Sequence, residues 1–352
     1  MPRTRRYLRS GRPYELDIRV KSGLPFACVG LIKLLLQSAI ARAQRDDKIK
    51  ICHHHWQGNH LHMLLIPFDA EQCVFFYQEL QKKITEAIKR LLGVRRLNLW
   101  EGDPILAEVL DIEKTIDRIV YYYANPTEAD LVDSIEEYPG LSSWQDFMNS
   151  EIKTEAKITN IVPWVRLPSI PTLTAMQLSP QEDTALCKML TKDNPLRHEL
   201  TVYPYAWLSC FGEYTPEEVG VIKARIIKKV RELENVSRAR RAKAKRRALG
   251  AASLKRQPIM AKHTPPPRER RVYVLASDAT ERIDYIENMK EFCTQCSNLY
   301  QDERAGRDHV QWPPGAVRPA RRPIANAIAD IGVIMQSMTY GRYSMAECAM
   351  AA

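Results

Sequence analysis

No stretch of the chain approaches the about 18 consecutive apolar residues that a membrane-spanning helix needs, so a membrane protein is not expected. Cysteine is too sparse and too scattered for a disulfide scaffold: Cys28, Cys52, Cys73, Cys187, Cys210, Cys293, Cys296 and Cys348 are spread through 352 residues, which suits a reducing compartment. Cys293 and Cys296 form a lone CxxC, without the second ligand pair of a structural zinc site, and in EFCTQCSNLY they read as thiols of a helix. The arginines of MPRTRRYLRSGRPYELD have no apolar run behind them, so a secretory signal is not expected and a cytoplasmic location is. There is no internal repeat. A composition of 45% hydrophobic and 27% charged residues is that of an ordinary globular protein rather than a disordered one.

Positive charge is in excess. Against 42 acidic residues stand 52 lysines and arginines, a formal charge of +10 that favours a polyanionic partner, nucleic acid ahead of membrane.

The first 150 residues carry a readable order of elements. YELDIRV alternates Leu16, Ile18 and Val20 against Glu15, Asp17 and Arg19, the period of a strand with one buried face. FACVGLIKLLLQSAIARAQRD has helical spacing, and IKICHHHW and HLHMLLIP are strand-like runs joined by the turn-forming Gln57-Gly58-Asn59. AEQCVFFYQELQKKITEAIKRLLG predicts a helix closing at Gly93, and EKTIDRIVYYYANP another that Pro126 helps to stop. This order implies an α+β fold, a small antiparallel sheet with helices on one face. Beyond it, 151–195 reads as a proline-rich connector and 196–250 as a helical unit. TPEE gives that unit an N-cap and capping box at Thr215 and a basic helix running to about Gly250. Residues 251–272 then read as a linker and 273–352 as a small, mostly helical C-terminal region and tail.

Five of the eight histidines fall between positions 53 and 62. Residues two apart on a strand face the same way, so His60 and His62 form half of a metal site on one side of the sheet, with Leu61 and Met63 on the other. His53, His54 and His55 cannot all join them, because alternation divides the three between the faces, and they read as structural. Downstream, in YYYANPTEADLV, Tyr121 and Asn125 are four apart and project from one helix face, with Asp117 a turn earlier. The same tyrosines would also serve as core and rim aromatics of an amphipathic helix.

NHLHMLL resembles the histidine-hydrophobic-histidine (HUH) motif of single-tyrosine transposases, and YYYANPTEADLV resembles the tyrosine-helix segment these proteins show before an Asn-Pro. Over roughly residues 1–145 the likeness is greatest to the REP-associated tyrosine transposases, from which the chain departs in carrying aspartate at Asp130, where glycine is usual. The resemblance implies a ferredoxin-like HUH fold and metal-dependent cleavage and transfer of single-stranded DNA, at hairpin-forming ends. Tyr121 would be the nucleophile and form a 5′-phosphotyrosine, and His60, His62 and Asn125 would hold Mg²⁺ or Mn²⁺. The expected partner is single-stranded or hairpin DNA in the nucleoid, bound by Arg3, Arg5, Arg6 and Arg9 and by Arg238, Arg240, Arg241, Lys243, Lys245, Arg246 and Arg247. Two other functions fit the same residues: a hairpin-binding protein that does not cut, and a replication-initiation or relaxase nuclease of HUH chemistry. Nothing in the sequence chooses between monomer and homodimer.

Overall fold

The alternating and helical patterns resolve into a mixed sheet wrapped by helices in a computed structural model that describes residues 7–21, 29–45, 49–165, 178–192, 196–257, 272–307 and 311–317. The first elements are β1 (Tyr14–Arg19), α1 (Gly30–Arg45), β2 (Lys50–Gln57), β3 (His60–Ile66), α2 (Ala70–Leu91) and β4 (Ile105–Val109). They make a βαββαβ unit whose strands stand in the order β2-β3-β1-β4, the ferredoxin-like arrangement. Every neighbouring pair within it is antiparallel. The β2–β3 hairpin turns at Gly58, whose φ of +55° is a conformation glycine adopts without a steric cost. The α+β class read from the sequence is the class observed.

The two faces of this sheet differ in chemistry. Leu16, Ile18, Leu61, Met63 and Leu65 point to one face and join a core with α1 and α2. Each such buried aliphatic side chain contributes roughly 1.5–3 kcal/mol. The opposite face carries Glu15, Asp17, His60 and His62, and α3 (Ile112–Glu128) covers it through a second core that includes Leu64, Ile116, Ile119, Tyr122 and Tyr123.

The sheet continues past residue 150. After α4 (Trp144–Asn149) come β5 (Ile158–Pro163), α5 (Pro180–Thr191) and β6 (Arg197–Val202). β6 joins β2 in parallel at Ile51 and Val202, and β5 pairs antiparallel with β6 at the sheet's edge. The end of Ile158–Pro163 lies within the stretch that its prolines marked as irregular; Pro163, which has no N–H to donate, is tolerated on an edge strand. At the other edge β7 (Val274–Leu275) pairs in parallel with β4 and leads into α8 (Ala279–Arg304), which carries Cys293 and Cys296.

The long helix α6 (Pro216–Lys243) starts with the expected capping box at Thr215 and Glu218 but ends before Gly250. Lys245 takes a positive φ of 52°, and the N–H groups of Leu249 and Gly250 donate to the carbonyls of Asp130 and Leu131, which turns the chain back onto the end of α3; the short helix α7 (Ala251–Lys255) follows. α6 runs beside α3 in parallel with a constant offset of 112 residues, seen in Arg225–Glu113, Lys229–Asp117 and Arg240–Glu128 O. Among the described residues no helix is long and apolar enough to cross a membrane.

The helix α3 ends two residues past the proline that helps to stop it. Pro126 lies inside the helix, which runs on to Glu128. The last carbonyls, orphaned at any helix end, are captured from α6: Arg241 donates to Thr127 O at 2.7 Å and Arg240 to Glu128 O at 2.8 Å. Asp130 adopts the left-handed conformation (φ 58°) usually left to glycine, with its carboxylate held by Arg240 at 2.6 Å and Arg241 at 3.0 Å. Arg241 is only 3% exposed and also reaches Asp133 at 2.7 Å. Arg241→Met is expected to lower stability by about 1–3 kcal/mol, because its carbonyl and carboxylate partners lose a charged donor while both carboxylates keep partial access to water. A shift of the urea midpoint by less than the equivalent of about 0.5 kcal/mol would show that the clamp is not structural.

Candidate active site

Register sets the site. In β1, β3 and β2 the directly opposed pairs Asp17–His62, Arg19–His60, His55–His62 and Gln57–His60 share the face beneath α3. His60 and His62 lie side by side with ring centroids 4.9 Å apart. His62 is 3% exposed; its Nδ1 stands 3.3 Å from Glu15 Oε1, and neither of its ring nitrogens is hydrogen-bonded. His60 Nδ1 lies 3.0 Å from Asn59 Oδ1.

The three consecutive tyrosines of α3 project about 100° apart and meet three different surroundings. Tyr123 is fully buried, 2.7 Å from His53 Nδ1 and 3.1 Å from Ser143 Oγ. Tyr122 is fully buried and stacks on His62 at 5.5 Å with an interplanar angle of 9°. Tyr121 is half-buried, with its ring edge-on to His62 at 5.3 Å. Burial pushes the Tyr121 phenol above its ordinary pKa, against the opposing pull of Arg118, whose guanidinium carbon lies 4.4 Å from the centre of the ring. Arg118 in turn reaches Glu15 Oε1 at 2.5 Å. Burial would raise the Glu15 pKa, but His62 and Arg118 outweigh it and hold the carboxyl below the usual carboxylate range.

Asn125 sits one turn beyond Tyr121. Its backbone carbonyl accepts from Gln57 Nε2 at 3.5 Å, which places that turn over the end of β3 where His60 lies, and its side-chain nitrogen is buried without a hydrogen-bond partner. Tyr121, His60, His62 and Asn125 are thus brought to one face, whereas Asp117 turns away to Lys229 at 2.9 Å. Among the described residues no group of three or more His, Cys, Asp or Glu side chains is placed to hold a metal ion. The donor set available is two imidazoles and a carboxamide. It suits a divalent ion, since a neutral imidazole offers a ring nitrogen as a ligand, and both ring nitrogens of His62 are buried without a hydrogen-bond partner.

The other histidines divide by face, as alternation requires. His53 bridges Tyr123 and the carbonyl of Pro204, and His55 lies against Tyr138. Both are held neutral by burial, with pKa values of about 3. His54, on the face of α1 near Lys33, is likewise pushed down to about 4 by burial.

Of the basic residues expected to meet DNA, Arg3, Arg5 and Arg6 lie outside the described residues. Arg9 is engaged inward, with Nε 3.0 Å from the fully buried carboxylate of Glu108. The α6 run is divided. Arg238, Arg240 and Arg241 bind backbone and carboxylate oxygens of residues 127–133, so Arg241 is a packing cation rather than a phosphate contact. Lys243, Lys245, Arg246 and Arg247 are exposed. Sequence reasoning missed Glu15 and Arg118. The usable signals were that the polar sides of β1 and β3 both bear chemistry, and that Arg118 stands one turn before Tyr121.

No family model matches the sequence, and no curated protein matches it. Among solved structures the chain is similar to one described as a REP-associated tyrosine transposase bound to a REP hairpin, at 18% identity and a TM-score of 0.36, over 42% of this chain and 86% of that one.

The buried histidines predict a pH response. A histidine whose folded pKa lies below its unfolded value of about 6.5 contributes stability that is complete above 6.5 and is lost as pH falls toward the folded pKa. His54→Leu is expected to flatten the fall of urea stability between pH 6.5 and about 4 by the share of one proton, at most roughly 1.4 kcal/mol per pH unit. An unchanged slope would mean that His54 is protonated in the folded protein.

Proposed function

We propose that the protein cleaves single-stranded DNA and transfers the strand through a covalent 5′-phosphotyrosine on Tyr121, at hairpin-forming ends, as a DNA transposase or a domesticated relative. The observation that carries this reading is the meeting of Tyr121, the one partly open tyrosine of three, with His62 at 5.3 Å and His60 beside it. His60, His62 and Asn125 would hold Mg²⁺ or Mn²⁺, manganese being the better match for imidazole. Such an ion, when bound, neutralises a non-bridging phosphate oxygen and favours the phenolate. Tyr121 Oη attacks phosphorus, its proton passes to solvent, and the 3′-oxygen leaves as a hydroxyl. The phosphotyrosine bond conserves the ester's energy, so a 3′-hydroxyl can reverse the step and join strands without ATP. The exposed Lys243, Lys245, Arg246 and Arg247 would hold the phosphate backbone. This activity would place the protein on DNA in the cytoplasm.

A second reading, hairpin binding without cleavage, is favoured by the raised phenol pKa of Tyr121 and by the lack, among the described residues, of a third His, Cys, Asp or Glu donor. Incubation with end-labelled hairpin DNA and Mn²⁺, followed by a denaturing gel, separates the two. The wild-type protein is expected to give a covalent adduct, and Tyr121→Phe to abolish it while hairpin affinity stays within about twofold, a change of roughly 0.4 kcal/mol. Absence of adduct from the wild type would leave the binding reading.

Replacing Lys243, Lys245, Arg246 and Arg247 by glutamine is expected to weaken hairpin binding and to flatten the dependence of log affinity on log salt by roughly 0.7 for each phosphate that the protein no longer neutralises. Titrations at several salt concentrations measure this, and an unaltered slope would remove these residues from the DNA surface.

A further inference from the structure

One buried polar group of the site is a carboxylate that neither the histidine motif nor the tyrosine helix supplies. Glu15 lies in the middle of the sheet on β1, 5% exposed. Its Oε1 is shared: His62 Nδ1 stands 3.3 Å away and Arg118 Nη2 2.5 Å away. From that anchor the guanidinium of Arg118 lies 4.4 Å from the Tyr121 ring centre and 5.8 Å from that of Tyr122. One oxygen atom therefore touches both halves of the constellation, the imidazole on β3 and, through Arg118, the phenol on α3.

Building on the proposed nucleophile and ion site, we infer that Glu15 and Arg118 are a positioning pair: Glu15 fixes the tautomer of His62 so that Nε2 faces the metal ion, and Arg118, held by the same carboxylate, fixes the ring of Tyr121 beside it. With the proton on Nδ1, His62 turns its N–H to the side of the Glu15 carboxylate and Nε2 keeps its lone pair, the orientation a carboxylate gives metal-binding imidazoles generally. Neither ring nitrogen of His62 is hydrogen-bonded in the protein, so the carboxylate 3.3 Å from Nδ1 acts on the tautomer as a neighbouring negative charge. Arg118 supplies a planar cation whose flat face can rest on an aromatic ring while its edge binds a carboxylate, which lysine cannot do at once. Because both interactions share Oε1, a shift of α3 along the sheet would disturb the histidine and the tyrosine together.

The test uses the full-length protein, Arg118→Lys, and the double variant Glu15→Leu/Arg118→Met, which leaves no unpaired buried charge and so retains its fold. Three quantities are measured: the tautomer of His62 by ¹⁵N NMR without metal, the Mn²⁺ affinity by calorimetry, and the rate of adduct formation on hairpin DNA. The wild type is expected to hold the proton on Nδ1. The double variant is expected to lose that single tautomer and to bind Mn²⁺ about 10–100-fold more weakly. Arg118→Lys keeps a positive charge beside Glu15 but not the flat face over Tyr121. It is expected to leave tautomer and Mn²⁺ affinity nearly unchanged and to slow adduct formation about tenfold or more, a barrier change of roughly 1.4 kcal/mol. Wild-type tautomer and Mn²⁺ affinity in the double variant, or a wild-type rate in Arg118→Lys, would overturn the inference. A wild type that forms no adduct would refute the role of Tyr121 instead, and the tautomer and Mn²⁺ measurements would then decide the role of Glu15 on their own.

Discussion

A carboxylate buried between a sheet and a helix is the constraint around which this molecule is arranged. Taking an ion of that size out of water costs several kcal/mol even after relaxation, and the cost is recovered only by close, well-directed partners. Glu15 has one such partner, Arg118 from α3, and His62 from the neighbouring strand stands 3.3 Å away. Without them the polar face of β1, β3 and β2 would have to lie open to water. With them it can be roofed by a helix, and the register of α3 over the sheet is fixed by an ion pair that tolerates little displacement. Arg118 gains a favourable surrounding in return: burial lowers its pKa, but the carboxylate and the adjacent phenols more than reverse this.

A helix placed over polar residues cannot be held by apolar burial along its whole length, and α3 is secured at both ends by side chains from distant sequence. At its start, Asp111 caps the N–H of Lys114 at 2.7 Å and accepts from the backbone N–H and hydroxyl of Ser277 at 2.6 and 2.9 Å, which ties in the strand β7. At its finish, Arg240 and Arg241 take the carbonyls of the last turn and fix Asp130 in its left-handed conformation. Cations at the negative end of a helix are favourable for the same reason that an acid is at its start. Between the ends, the constant offset between α3 and α6 keeps ion pairs along their shared length. Much of the positive charge on α6 is thus neutralised inside the protein, and the excess that faces solvent is concentrated after residue 242.

What the sequence disclosed and what it concealed follow from the range of the interactions. The strand alternation in YELDIRV, the Gly58 turn and the helical spacing of α1 and α2 are local, and they show the strand–helix–hairpin–helix order without knowledge of any partner, whereas β4 carries no such pattern. The pairing of His60 with His62 was equally local, because two residues on a strand fix it. Glu15 was legible only as the polar side of a half-buried strand. That α3 would cover that side depends on Arg118, 103 residues away. The basic stretch around Arg241 was misleading for the same reason. Charge in a one-dimensional sequence does not show whether a carboxylate waits in space, and here Asp130 and Asp133 do. Pro126 helps to stop α3, as local propensity implies, and the helix ends two residues later, where two arginines more than 100 residues downstream take its last carbonyls.

The three tyrosines of α3 show how the roof and the floor together narrow the chemistry. As a bare sequence, Tyr121, Tyr122 and Tyr123 are interchangeable phenols with the same intrinsic pKa. Rotation about the helix separates them, and each surrounding then determines what the hydroxyl can do. Tyr123 is committed to His53 and Ser143, and Tyr122 to the face of His62; burial pushes both phenols up and keeps them from any reactant. Tyr121 alone combines an open side with proximity to His62 and a cation over its ring. The nucleophile proposed on this helix would therefore be selected by geometry and not by any intrinsic difference in reactivity. The two buried tyrosines contribute by holding Tyr121 at a fixed angle above the histidines, since neither can rotate out of its pocket without exposing a large aromatic surface to water.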